Sequence, residues 1–171
     1  IEKNSTLNNV NVPSKIGYTF LHWCSDKSKN NQFDTNTKIT NNLILYANWK
    51  MNDITNINSL KNIEKQFSGE QESISVNPMH TSGLTNFTYK WFYSKTNNID
   101  SFIQQNNNSN VLNVKNVVDS GYYYCIISLV DSDGFKIDNS TNVAYVNISK
   151  APINLNLDEI TKNLTYANKN Y

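Results

Sequence analysis

The chain is 171 residues long, room for one large domain or two small ones. Only 38% of residues are apolar, but 12% are aromatic, ten of them Tyr, which is too aromatic for a disordered tail. Charge is sparse at 17% and nets to +1, and all 15 basic residues are Lys, so neither the positive field nor the arginines of a nucleic-acid reader are present.

The polar surface is built from 32 asparagines. No window holds the roughly 18–20 continuous apolar residues of a membrane span, so no membrane insertion is expected. No signal peptide opens the chain. It starts at Ile1 rather than Met, as expected of a fragment or a processed product.

Strand signals are dense. Apolar or alternating runs cover 19–24, 43–49, 73–76, 86–93, 111–117, 121–130 and 142–148, separated by turns rich in Asn, Ser, Asp and Gly. The stretch 57–67 reads equally as a helix or a β edge. Many short strands at regular spacing predict an all-β fold of sandwich or barrel type rather than βαβ units. Composition breaks near 51–58 and again at 149–152. The partition expected is a unit at 1–50, a linker at 51–57, a second unit at 58–149 and a partial third at 150–171.

In the first unit, Pro13, Gly17-Tyr18-Thr19-Phe20 and Trp23 precede Phe33-Asp34, Ile39-Thr40 and Leu45-Tyr46-Ala47-Asn48-Trp49. This resembles the Listeria–Bacteroides repeat, also called the internalin-type B repeat, whose pattern is P-x-K-x-G-Y-x-F-x-G-W-Y and a closing L-Y-A-x-W. His22 stands where the family has Gly, and Cys24 where it has an aromatic. The resemblance implies that most of the family's first strand would precede Ile1. The resemblance implies a small β-grasp-like module of bacterial surface proteins, without catalysis. On the residues alone, Tyr18, Phe20, Trp23, Tyr46 and Trp49 are expected to cluster across paired strands as a small aromatic core.

In the second unit, Tyr89-Lys90-Trp91-Phe92-Tyr93 is followed by Val111-Leu112-Asn113-Val114 and by Asp119-Ser120-Gly121-Tyr122-Tyr123-Tyr124-Cys125. The D-S-G-x-Y-x-C run resembles strand F of an immunoglobulin-like domain, and the Trp91 run resembles its strand C. The resemblance implies a β-sandwich in which Trp91 is buried and Tyr123 makes the tyrosine corner. The partner cysteine is missing: alternation and a spacing of 15 to Trp91 put Val76 in its place. The bridge's roughly 2–4 kcal/mol is therefore absent. Cys24 and Cys125 fall in different units, so two buried free thiols are expected. In the third piece, Lys150-Ala151-Pro152-Ile153-Asn154-Leu155-Asn156-Leu157 resembles the opening of an MBG-type bacterial β domain.

Candidate chemistry is thin. Asp131-Ser132-Asp133-Gly134 with Asp138 hints at a calcium loop, but too few oxygen ligands and no closing Glu follow, so a hairpin turn is expected there. His22 lies two residues from Cys24 without a second ligand pair, and no metal is expected. His22 and His80 have no nucleophile elbow near them, and Glu70 and Glu72 read as solvated, so no catalytic residues, no cofactor and no enzyme are expected. Six N-x-S/T sequons occur, as many as chance predicts at this Asn content.

The functional expectation is a non-catalytic segment of a modular bacterial surface protein, located extracellularly at the cell envelope. It would act as monomeric stalk or adhesion modules contacting protein or glycan partners and neighbouring tandem domains. The alternative is a secreted carbohydrate-binding module of a larger enzyme, with Trp49, Tyr93 and Tyr122–Tyr124 as candidate stacking rings.

Overall fold

The computed structural model describes residues 4–7, 10–57 and 59–152. Every regular element of more than three residues is a strand. The expected further β domain at 150–171 lies, from residue 153 onward, outside the described residues. No helix among the described residues is long and apolar enough to cross a membrane.

The first strands form an antiparallel ribbon. Strand β1 (Tyr18–Cys24) pairs β2 (Tyr46–Met51) with Phe20 opposite Trp49, and a register shift falls between Phe20 and His22. The shift lets consecutive aromatics converge on one side. Phe20 meets Trp23 edge-on at 5.3 Å and Trp49 at 5.6 Å. The expected aromatic cluster forms in part: Phe20, Trp23 and Trp49 meet and stay half-buried, Tyr46 makes no ring contact among the described residues, and Tyr18 turns away to the sandwich. The run at 43–49 becomes regular only from Tyr46, because Leu43 and Leu45 line a surface groove instead of pairing.

The remaining strands form a sandwich-like unit. One sheet runs in the order β3 (Ile63–Gln66), β10 (Ala144–Ser149), β8 (Gly121–Val130), β5 (Thr88–Ser94) and β6 (Ile103–Gln104), and β9 (Lys136–Ser140) pairs the far half of β8. The facing sheet is β4 (Glu72–Ser75) with β7 (Val111–Val114). Within the 57–67 stretch, residues 63–66 form a strand, with β3 parallel to β10. The loop between β9 and β10 is tied down by Asn142, whose amide donates to the Leu60 carbonyl at 2.8 Å and accepts from its N–H at 3.2 Å.

Burial along β8 alternates strictly, with Tyr123, Cys125, Ile127 and Leu129 inward. Trp91, opposite Cys125 on β5, is wholly buried and donates its indole N–H to the Ser109 carbonyl at 2.8 Å. The Tyr123 hydroxyl donates to the Asp119 carbonyl at 2.6 Å, closing the corner that the resemblance implies. Val76 and Cys125 share this core, both fully buried. Both cysteines are free and buried, and burial pushes the Cys125 thiol up to about 11. Neither thiol should react with an aromatic disulfide reagent in the native chain, and both should react in denaturant; rapid native labelling of Cys125 would contradict this packing.

Candidate functional site

The built feature of the molecule is the junction between ribbon and sandwich. Residues 51–57 run from β2 into the sandwich, and Met51 and Ile54 are buried in its core. Thr55 and Met79 exchange backbone hydrogen bonds of 2.8 and 3.0 Å. Asn56 donates its amide to the Asn77 carbonyl at 2.7 Å, and the Ile54 N–H reaches the Asn139 side chain at 3.2 Å. A segment tied at so many points cannot act as a free swivel.

Glycine permits the closest approach. Gly17 sits at φ +82°, and a Cβ there would lie 2.6 Å from the Ser82 nitrogen. Its carbonyl accepts from the Asn52 N–H at 2.9 Å. His80, buried beside it, accepts from the Ser82 N–H on Nδ1 at 3.2 Å. Its proton therefore sits on Nε2, which donates to the Asn52 carbonyl at 3.0 Å. His80 is thus a structural bridge.

The Asp131–Gly134 turn that resembles a cation loop closes the β8–β9 hairpin and faces this junction. The Asp131 side chain is only 5% exposed. It accepts the Tyr18 hydroxyl and the N–H groups of Asp133 (2.9 Å) and Phe135 (2.8 Å). Lys15 Nζ lies 3.1 Å from Asp133 and 3.8 Å from Asp131, and 3.8 Å above the Tyr18 ring. Tyr18 meets Phe135 edge-on at 5.8 Å. The positive charge facing the two carboxylates is the Lys15 ammonium. Among the described residues no three His, Cys, Asp or Glu side chains are grouped to hold a metal ion. Asp138 lies apart, paired with Lys136 at 2.8 Å.

Desolvation and then the bond to Asp131 push the Tyr18 hydroxyl up to about 12. Burial alone would raise Asp131, but the hydrogen bonds from Tyr18, Phe135 and Asp133, with Lys15 nearby, hold it below the usual carboxylate range. A depressed carboxylate stabilises the fold above its unfolded value, about 4, and loses that contribution as pH falls through its folded value. A raised phenol contributes below about 10 and is lost as pH rises toward its folded value. The junction is therefore strongest between these limits. The urea-midpoint gap between the parent and Asp131→Asn should be open at neutral pH and narrow as pH falls below about 4; a constant gap would contradict the assignment.

The other candidates scatter. His22 accepts from the Asn48 amide at 3.3 Å on the ribbon. Glu72 pairs with Lys65, and Glu70 is exposed. Trp49 packs on Phe20. Tyr93 points inward, and its hydroxyl donates to the Ser120 carbonyl at 3.1 Å. Tyr122 and Tyr124, on the other parity of β8, face outward.

Two surfaces remain. On the first unit a groove of about 470 Å³ is lined by Leu7, Val10, Trp23, Ile39, Leu43 and Leu45, with Asn41 and Asn42 at its side. On the sandwich, Tyr122 and Tyr124 belong to a larger outward cluster. Phe92 stacks on Tyr124 at 4.8 Å and 4°, Phe102 meets Tyr124 at 4.9 Å, and Tyr145 meets Tyr122 at 4.9 Å. Strand parity could have flagged Phe92 and Tyr145; Phe102 lies just outside β6, where no alternation signals its direction.

Residues 1–48 match the family model of the Listeria-Bacteroides repeat domain. The match covers the ribbon and its loops up to Asn48 and agrees with the motif read from residue 13 onward. That repeat is typical of bacterial surface proteins. No curated protein matches the chain.

Proposed function

We propose that the chain is a non-catalytic segment of a modular bacterial cell-surface protein, its β units serving as stalk and adhesion modules that present or contact protein or glycan partners. The observation that carries this reading is the junction. Ribbon and sandwich meet through a shared core, paired backbones and the Lys15–Tyr18–Asp131 clasp, so tandem units pass on orientation and load. The N-terminal match supports the location at the cell envelope.

In this reading residues 1–50 are the repeat, 51–57 the connection, 58–149 an immunoglobulin-like sandwich and 150–171 the opening of an MBG-like domain. Buried Trp91, the Tyr123 corner and the facing sheets support the immunoglobulin-like assignment. The second reading, a carbohydrate-binding module of a larger secreted enzyme, is favoured by the outward aromatic cluster.

The test is surface exposure. Antibodies raised against the chain should label intact bacteria that express the parent protein, and external protease should remove the label without lysis. Label appearing only after lysis would overturn the surface reading.

A further inference from the structure

The outward face around β5, β8 and β10 carries five rings in two packed groups, Phe92, Phe102 and Tyr124 in one and Tyr122 and Tyr145 in the other. Cross-strand stabilisation alone would account for the ring pairs. Three further observations need more than that.

The first is the fate of the phenol hydroxyls. Those of Tyr18, Tyr93 and Tyr123 each donate to a partner within the fold. The hydroxyls of Tyr122, Tyr124 and Tyr145 have no partner among the described residues. The second is the chemistry of the surround. The register neighbour of Phe92 is Gln104, that of Tyr122 is Ser94, and Tyr145 donates its N–H to the Asn62 side chain at 2.8 Å. The rings are thus flanked by the amides of Gln104 and Asn62, while the Ser94 hydroxyl is buried and bonded to Ser101 and the Thr96 N–H. The charged side chains on this face offset one another: Lys90, exposed two residues before Phe92 on β5, and Lys136 stand against Asp138 beside the far half of β8 and Glu64 on β3, while Lys95 is spent on the carbonyls of Val118 and Ser120 at 2.9 and 2.8 Å. The third is order. Each ring is held by at least one other at 4.8–4.9 Å, so little side-chain entropy remains to be lost on binding.

A preorganised aromatic face of balanced charge, with free hydroxyls and an amide rim, suits one chemistry. Its rings accept the C–H faces of pyranoses, and its hydroxyls and amides hydrogen-bond sugar hydroxyls. Lys90 and Lys136 are offset there by Asp138 and Glu64, so it offers no concentrated positive field to an anionic glycan or a nucleic acid. It has none of the Arg that is enriched at protein interfaces. We propose that this face is a binding platform for neutral glycans. It stands toward the end of β8 away from Asp131, with Tyr124 and Tyr122 roughly 23–30 Å along the strand from that residue. The ribbon therefore leaves it open to a ligand.

The proposal deepens the contact role assigned above, and its test does not depend on where the parent protein resides. The full chain, labelled with nitrogen-15, is titrated with millimolar neutral oligosaccharides of glucose, N-acetylglucosamine, galactose and mannose, and with heparin as an anionic control. At least one neutral series should shift the amides around Phe92, Tyr122, Tyr124 and Tyr145 saturably, and heparin should not. Tyr145→Ala should weaken that binding about tenfold. The triple variant Tyr122→Phe, Tyr124→Phe and Tyr145→Phe keeps every ring and should fold as the parent does, yet bind measurably more weakly. Silence across the neutral panel would overturn the proposal. So would shifts confined to the Trp23 groove, or broadening of the patch that follows protein concentration alone and marks a second copy as its occupant. Each of these failures leaves the surface-exposure test standing on its own result.

Discussion

Replacing Gly17 with Val is expected to uncouple the ribbon from the sandwich while leaving both cores intact. Two independent penalties act at this position. A β-branched residue at φ +82° is strained wherever it sits. Its Cβ would also lie 2.6 Å from the Ser82 nitrogen and 2.8 Å from its Cα, so backbone rather than a side-chain end must move. Moving Ser82 disturbs the Nδ1 bond of His80, and moving Gly17 disturbs the Asn52 bond. The combined cost should be about 2–4 kcal/mol. Fluorescence can separate the parts, because Trp23 and Trp49 lie in the ribbon and Trp91 in the sandwich. The expected result is a ribbon transition at distinctly lower urea, with the sandwich transition little changed. A variant that unfolds in one step at the parent's midpoint would show that the close approach at Ser82 carries no weight.

The second large effect belongs to Trp91. It has no exposed surface and lies at the centre of a core with no disulfide. Truncation to Ala removes the largest fully buried side chain and should cost about 3–5 kcal/mol. It also leaves the Ser109 carbonyl without its 2.8 Å donor, adding about 1 kcal/mol. Against a typical domain stability of about 5–15 kcal/mol, and with no bridge to restrain the unfolded chain, this should leave the sandwich largely unfolded at physiological temperature. Loss of the near-ultraviolet circular dichroism of the aromatic residues would report it. Trp91→Phe keeps much of the volume and should remain folded with a lowered midpoint. A Trp91→Ala chain of parental stability would contradict the core described here.

Much of the sandwich was legible because its signals are local. The D-S-G-x-Y-x-C run carries the Tyr123 corner within a few residues, and the corner bond spans only from Tyr123 to Asp119. The alternation of β8 marks its two faces, since neighbouring strands cover one of them. Strand β9 was not legible. Its sequence Lys-Ile-Asp-Asn-Ser holds a single apolar residue, and it forms because the 131–134 turn folds it back onto β8. The 57–67 stretch stayed ambiguous because what makes β3 a strand is its parallel pairing with β10, more than eighty residues away.

The junction was illegible for a related reason. Lys15 and Tyr18 meet Asp131 and Asp133 across more than one hundred residues, and no local spacing announces a pairing at that range. Read alone, the Asp131-Ser132-Asp133-Gly134 run resembles a loop for a cation, and the cation it faces is a side chain from the first unit. The aromatic face was half legible. Adjacent tyrosines on one strand point to opposite sides, so Tyr122 and Tyr124 separate from Tyr123 by parity. The rings that complete the cluster come from other strands and from the turn before β6.

Backbone nitrogen-15 relaxation on the full chain tests the central claim, that the two β units are held as one body. If the junction holds, amides of the ribbon and of the sandwich report one shared rotational correlation time at neutral pH. A shorter correlation time for the ribbon than for the sandwich would mean the units tumble separately, and the stalk reading would lose the observation that carries it.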